Sequence, residues 1–298
     1  MVSKRTFVFG GAGLGAVAVA GGAGAVLMEE DVLPGKVRFD KAIGRCRTSP
    51  AAPGTAGVVR SQTFRSRHRG TDVTAAVVLP AGVRSPRGLP VAVALHGNGG
   101  TGMATARGLR LDRYLTEAVR TRRTPPFALV AVDGGPSSYW HRRANGEDPI
   151  AMITDELLPL LGRQGAMIDR FGVIGWSMGG YGALVVAETV GAPRVAATVA
   201  SSPALFASYA DARRTNHQAF DGPEDFARSD VLAGLGRMKG VPAWVDCGTS
   251  DPFAAMARRL RSRLRPAGEM RRGCHDGAFW LRRLPAQLAF LGGHLAGT

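Results

Sequence analysis

Phe171-Gly172-Val173-Ile174-Gly175-Trp176-Ser177-Met178-Gly179-Gly180-Tyr181-Gly182 decides the fold. Mostly apolar residues run into Gly175-Trp176-Ser177-Met178-Gly179, and an Ala/Leu/Val-rich helical segment follows. The order is strand, sharp turn, helix, with a serine at the apex: the G-x-S-x-G context of a nucleophile elbow. The spacing predicts a strained backbone that exposes the Ser177 hydroxyl. It also brings strand and helix so close that a Cβ at Gly175 or Gly179 would strike neighbouring backbone.

Working outward, Val91 to Leu95 is a short, wholly apolar strand of the kind found in a buried sheet. His96 to Gly102 follows as a glycine-rich loop, then an amphipathic helix from Ala104 to Arg120. Phe127 to Asp133 reads as a strand, and the loop to Pro149 carries Tyr139, Trp140 and His141. Ile150 to Leu161 reads as a helix, Arg194 to Ala200 as a strand, and Ser201 to Asp230 as a long insertion facing substrate or forming a lid. Val241 to Cys247 is a further strand, with helices expected over Pro252 to Leu264 and Leu284 to Leu295. Ahead of all this, Gly57 to His68 and Thr71 to Leu79 alternate in the β manner around Arg69-Gly70, which predicts an antiparallel hairpin. Strands alternating with helices imply an α/β protein with a mainly parallel sheet covered on both faces.

The chain has 298 residues and a formal net charge of +15, carried almost wholly by scattered arginines. No basic stripe interleaved with aromatics points to nucleic acid. The charge reads as a soluble basic surface, with attraction to an anionic cell envelope or polymer as the sharper alternative. Residues 1–28 pair Lys4-Arg5 with an uncharged run from Phe7 to Met28, the pattern of an export signal or an uncleaved N-terminal anchor. Residues 29–56 read as a linker or arm, and 57–298 as the catalytic domain. Two glycine fingerprints for dinucleotides fail for different reasons. The one at Gly11 has acids at about the right distance but too short a helix and no βαβ unit, and the one at Gly97 lies between strand and helix but its acid, Asp133, comes too late. Of three cysteines, Cys247 ends an apparent buried strand, where a free thiol sits as a small hydrophobe. That leaves Cys46 with Cys274 as the candidate pair among three pairings. No cysteine or histidine spacing suggests a metal, and no cofactor is expected.

A serine hydroxyl needs a base, usually histidine, oriented by a buried carboxylate. In the order Ser, acid, His, Asp251 follows the Val241 strand and His275 lies in the next loop. Asp246, inside the strand, is the competing acid, and an N-cap is the competing role for Asp251. The tetrahedral oxyanion needs about two N–H donors: the backbone of Met178, next to the nucleophile, and that of Asn98. Asp133, Tyr139, Trp140 and His141 hang over the same sheet end and are expected substrate contacts, the alternative being that the aromatics simply pack the loop.

Five stretches together resemble the esterase D/antigen 85-like branch of the α/β-hydrolases: Leu95 to Gly100, Val132 to His141, Gly175 to Leu184, Asp246 to Phe253, and His275 to Trp280. The resemblance covers residues 57 to 297. It implies an α/β-hydrolase fold and hydrolysis of a small-molecule, lipid or sugar ester through an acyl-enzyme on Ser177. The alternatives are a mycolyltransferase-like acyltransferase, which passes the acyl group to an alcohol, and a binding protein that has lost turnover.

Overall fold

The computed structural model describes residues 46–297. The expected export signal and most of the arm lie outside them. Alternation around Arg69-Gly70 does give a hairpin: β1 (Val58–Ser66) pairs antiparallel with β2 (Thr71–Leu79), Val58 opposite Leu79 and Ser66 opposite Thr71. β3 (Pro90–Leu95), β4 (Ala128–Val132), β5 (Met167–Trp176), β6 (Val195–Ser201), β7 (Ala243–Gly248) and a two-residue β8 (Met270–Arg271) complete one sheet. Its order is β1-β2-β4-β3-β5-β6-β7-β8, antiparallel at β1/β2 and β2/β4 and parallel elsewhere.

Because side chains alternate along a strand, β3 feeds two cores. Val91, Val93 and Leu95 enter one, Ala92 and Ala94 the other. On the alanine face lie α1 (Gly102–Gly108), α2 (Leu111–Arg120) and the C-terminal helix. α2 buries Leu111, Tyr114, Leu115 and Ala118, the i, i+3, i+4, i+7 stripe. The single helix expected over 104–120 is broken, because Arg110 adopts φ 50° just after Gly108 and restarts the chain as α2.

On the valine face lies a helical run of α3 (Pro149–Ala151), a π-helical stretch (Met152–Leu157) and α4 (Leu158–Arg163). Pro159 has no N–H for the preceding turn and its ring crowds that turn's carbonyl, which accounts for the widened turns ahead of it. α5 (Met178–Val190) packs on the same face and is buried from Met178 to Glu188. The insertion, expected to face substrate or form a lid, folds into α6 (Tyr209–Thr215) and α7 (Pro223–Arg228), followed by α8 (Val231–Gly234).

α9 (Ala254–Leu264) begins later than Pro252, and α10 (Gly277–Leu295) starts well before Leu284. Asp276 caps α10 by accepting from Phe279 N at 3.0 Å, and Pro285 sits inside the helix instead of opening it. Among the described residues no helix is long and apolar enough to cross a membrane.

Candidate active site

β5 delivers Ser177 to the carboxyl edge of the sheet, where φ 58°, ψ −120° turns the chain into α5. Its backbone is pinned: Ser177 N donates to Ser201 O, and Tyr181 N and Ala204 N donate to Ser177 O, all at 3.0 Å. Hydrogen bonds on both sides hold a conformation that an L-residue otherwise avoids. A Cβ at Gly175 would run into the Gly179 carbonyl, and one at Gly179 into the Leu95 carbonyl.

Three side chains meet at this turn. His275 Nε2 lies 2.8 Å from Ser177 Oγ, and His275 Nδ1 lies 2.8 Å from Asp251 Oδ2. Asp251 is fully buried, and its other oxygen accepts from Phe253 N at 2.8 Å. It therefore caps the turn into α9 and orients the imidazole at once. The ring is wedged between Phe253 and Trp280, centroids at 5.2 and 5.4 Å. A hydroxyl bonded to a histidine that a buried carboxylate orients can give up its proton to the imidazole as it attacks a carbonyl.

Asp246, the competing acid, is engaged elsewhere. It accepts from Ser201 Oγ and Trp244 Nε1 at 2.7 Å, from Gln287 Nε2 at 3.0 Å and from Arg283 Nε at 3.2 Å.

The loop after β3 curls over the serine. Gly97 packs against it, since a Cβ there would stand 3.5 Å from Ser177 Cβ. His96 is buried; its Nδ1–H donates to Gly97 O at 2.8 Å and its Nε2 accepts from Gly134 N at 3.1 Å. Burial holds the His96 imidazole below its ordinary value, which suits this neutral tautomer. Asn98 is exposed at the loop tip. Met178 takes the first position of α5, where a backbone N–H has no acceptor within the helix.

The four expected substrate contacts are placed differently. Asp133 Oδ1 accepts from Gly102 N at 2.5 Å, so it secures the start of α1. Trp140 has no exposed surface, and its Nε1 donates to His96 O at 3.3 Å. Tyr139 is buried against Tyr181, Phe206 and Phe220. His141 stacks on Phe220 and pairs with buried Asp225 at 2.9 Å. The loop is packed inward because Tyr139 and Trp140 both take positive φ, 48° and 56°. These aromatics support the wall of the site, and Trp140 is out of direct reach of a ligand.

Sequence reasoning missed Asn216, which reaches from the insertion to Asn98, and Arg69, read as part of a turn. Arg69 is buried, donates to Gly134 O and pairs with Glu147 at 3.3 Å. A turn arginine carries no sequence signal for burial, and Asn216 lies 118 positions from its partner. Cys46 and Cys274 form a disulfide, Cα–Cα 5.2 Å, which anchors the residue next to His275. Cys247 is free and buried. Among the described residues no group of three His, Cys, Asp or Glu is placed to hold a metal.

The sheet order and the serine on its strained turn define a hydrolase of the α/β-hydrolase fold. The chain belongs to the family described as "Putative esterase", whose model matches residues 66–290. It is a carboxylesterase-type enzyme by that membership. No curated protein matches it. Solved structures share the fold at low identity. A ferulic acid esterase superposes with TM-score 0.67 at 18% identity, covering 81% of this chain and 100% of its own. An S-formylglutathione hydrolase from Agrobacterium tumefaciens gives 0.65 at 17%, covering 83% and 100%. A fluorophosphonate-binding serine hydrolase of Staphylococcus aureus gives 0.61 at 18%, covering 80% and 99%.

Proposed function

We propose that Ser177 Oγ attacks the carbonyl of a carboxylic ester while His275 takes its proton and Asp251 holds the imidazole. The carrying observation is the pair of 2.8 Å contacts on the two nitrogens of His275. The oxyanion is received by the N–H groups of Met178 and Asn98, at the start of α5 and in the loop that packs on the serine. His275 then protonates the leaving alcohol, and water admitted to the acyl-enzyme reverses the sequence.

Phe253 and Trp280 flank His275, and Phe206 packs on Phe253 at 5.6 Å. An apolar or aromatic group beside the ester fits that lining. An acyltransferase would use the same acyl-enzyme with an alcohol in place of water. We also take the chain to be exported. The apolar run after Lys4-Arg5 supports this, as does the Cys46–Cys274 disulfide, a bond that persists in oxidising compartments.

A fluorophosphonate probe tests the reading. Labelling of the wild type that disappears in Ser177→Ala supports it; equal labelling of both, or none of the folded wild type, sinks it. Product analysis with added sugar or alcohol acceptors then separates hydrolysis from transfer. Sequencing the N-terminus of protein recovered outside the cytoplasm tests export.

A further inference from the structure

The described start of the chain is strapped across the alanine face. Arg113 holds Pro53 O at 3.2 Å, Arg282 holds Thr48 O, and the disulfide fixes Cys46. Beneath the strap is a cavity of about 420 Å³. Arg47, Arg271, Arg272, Arg282 and Arg283 line it, and among the described residues no acidic one does. Glu269 reaches Arg271 at 2.6 Å and Arg283 at 3.1 Å, and Asp246 reaches Arg283. Among the described residues no carboxylate reaches Arg47 or Arg282, so these two leave the lining a surplus of positive charge without counting Arg272. Tyr114 also lines it, only 5% exposed, and its hydroxyl has no partner among the described residues. The buried Nε of Arg282 has none either. Phe279, Leu281 and Pro285 supply an apolar side.

Buried donors without acceptors are unfavourable unless a ligand supplies the acceptor. Arginine forks match planar or tetrahedral oxyanions. The cation surplus favours phosphate over carboxylate, because phosphate brings up to two charges and more acceptor oxygens. We propose that this cavity binds a phosphate group carried on an apolar body. Ser177, Asp251 and His275 are not part of its lining, so the site stands apart from the esterase reading. Arg271 and Arg272 directly precede Gly273-Cys274-His275, so occupancy braces the root of the loop that carries the histidine.

The phosphate can come from a soluble organic phosphate or from the headgroup of an anionic phospholipid. Calorimetry on the Ser177→Ala protein with hexyl phosphate tests the first source. Co-sedimentation with phosphatidylglycerol vesicles, against phosphatidylcholine vesicles, tests the second. Tyr114→Phe is expected to weaken binding about fivefold and Arg282→Gln about tenfold, the range for one hydrogen bond to a charged group. Arg163→Gln, exposed on α4 across the sheet, is expected to change neither. Melting temperatures within a few degrees of the parent would show that the variants fold. Vesicle binding lost in the same two variants assigns the headgroup, and hexyl phosphate binding without vesicle binding assigns a soluble ligand. The proposal is overturned if no probe binds at millimolar concentration. It is also overturned if both pocket variants bind like the parent, or if Arg163→Gln weakens binding as much as they do.

Discussion

Asn216 Nδ2 donates to Asn98 Oδ1 at 3.0 Å and to Ser137 Oγ at 2.8 Å. One amide thus ties the insertion to the loops after β3 and β4. The first of these loops carries the proposed oxyanion donor. Each neutral hydrogen bond contributes about 1 kcal/mol to stability, whereas loss of an oxyanion donor costs on the order of 100-fold in kcat or more. Loosening that donor should fall between. Asn216→Ala is expected to lower kcat about tenfold with KM little changed and unfolding free energy within about 2 kcal/mol of wild type. Steady-state kinetics beside urea curves check this, and an unchanged kcat would remove Asn216 from the positioning of the site.

The two buried aspartates should respond in opposite ways. Asp251→Asn keeps the shape but removes the charge facing His275, so kcat should fall by about 10³ to 10⁴ with little loss of stability. Asp246→Ala leaves Arg283, 12% exposed, without its buried partner. That should cost about 3–5 kcal/mol while the folded fraction keeps near-normal kcat. The reverse pattern would make Asp246 the catalytic acid.

Burial pushes the Glu188 carboxyl up to about 7, although Arg237 pairs with it at 3.0 Å. Its folded value lies above its unfolded one of 4.5. The native state therefore binds the extra proton between pH 4.5 and 7, and this group's contribution to stability falls as pH rises through that window. The full effect is roughly 3 kcal/mol at about 1.4 kcal/mol per pH unit. Denaturation curves of Glu188→Gln and wild type should diverge steadily from pH 4.5 to 7, the variant gaining. Parallel curves would contradict the shift.

Trp140 distinguishes a packing residue from a substrate contact. Replacing it by alanine should cost about 3–5 kcal/mol of stability, as for other buried aromatics. Trp140→Phe should keep KM for p-nitrophenyl esters close to wild type. A large rise in KM without destabilisation would restore it to the substrate surface.

What was legible followed from local pattern. The serine turn, the hairpin and the order of strands and helices each rest on short-range periodicity or glycine placement. Asp251 and His275 stood out because the chain order of the chemistry limits the choice, and His275 lies within hydrogen-bond reach of both Asp251 and Ser177. The inward placement of Tyr139, Trp140 and His141 was not legible, because their direction depends on two positive φ angles and on Phe220, far along the chain. The links through Asn216, Arg69 and Asp246 are long-range hydrogen bonds that no window of sequence displays.

The disulfide spans 228 positions, and Cys247 lies between its ends. A chain emerging from its N-terminus presents Cys46 early, then Cys247, and Cys274 last. The first thiol that Cys46 can meet is therefore the wrong one. Burial in β7 pushes the Cys247 thiol well above its ordinary value and withdraws it from exchange. A chain that closes the sheet at β7 before oxidation would thereby protect the pairing. On that argument, refolding a reduced chain before adding oxidant is expected to give more of the Cys46–Cys274 pair, and so an anchored loop beside His275, than oxidising it unfolded.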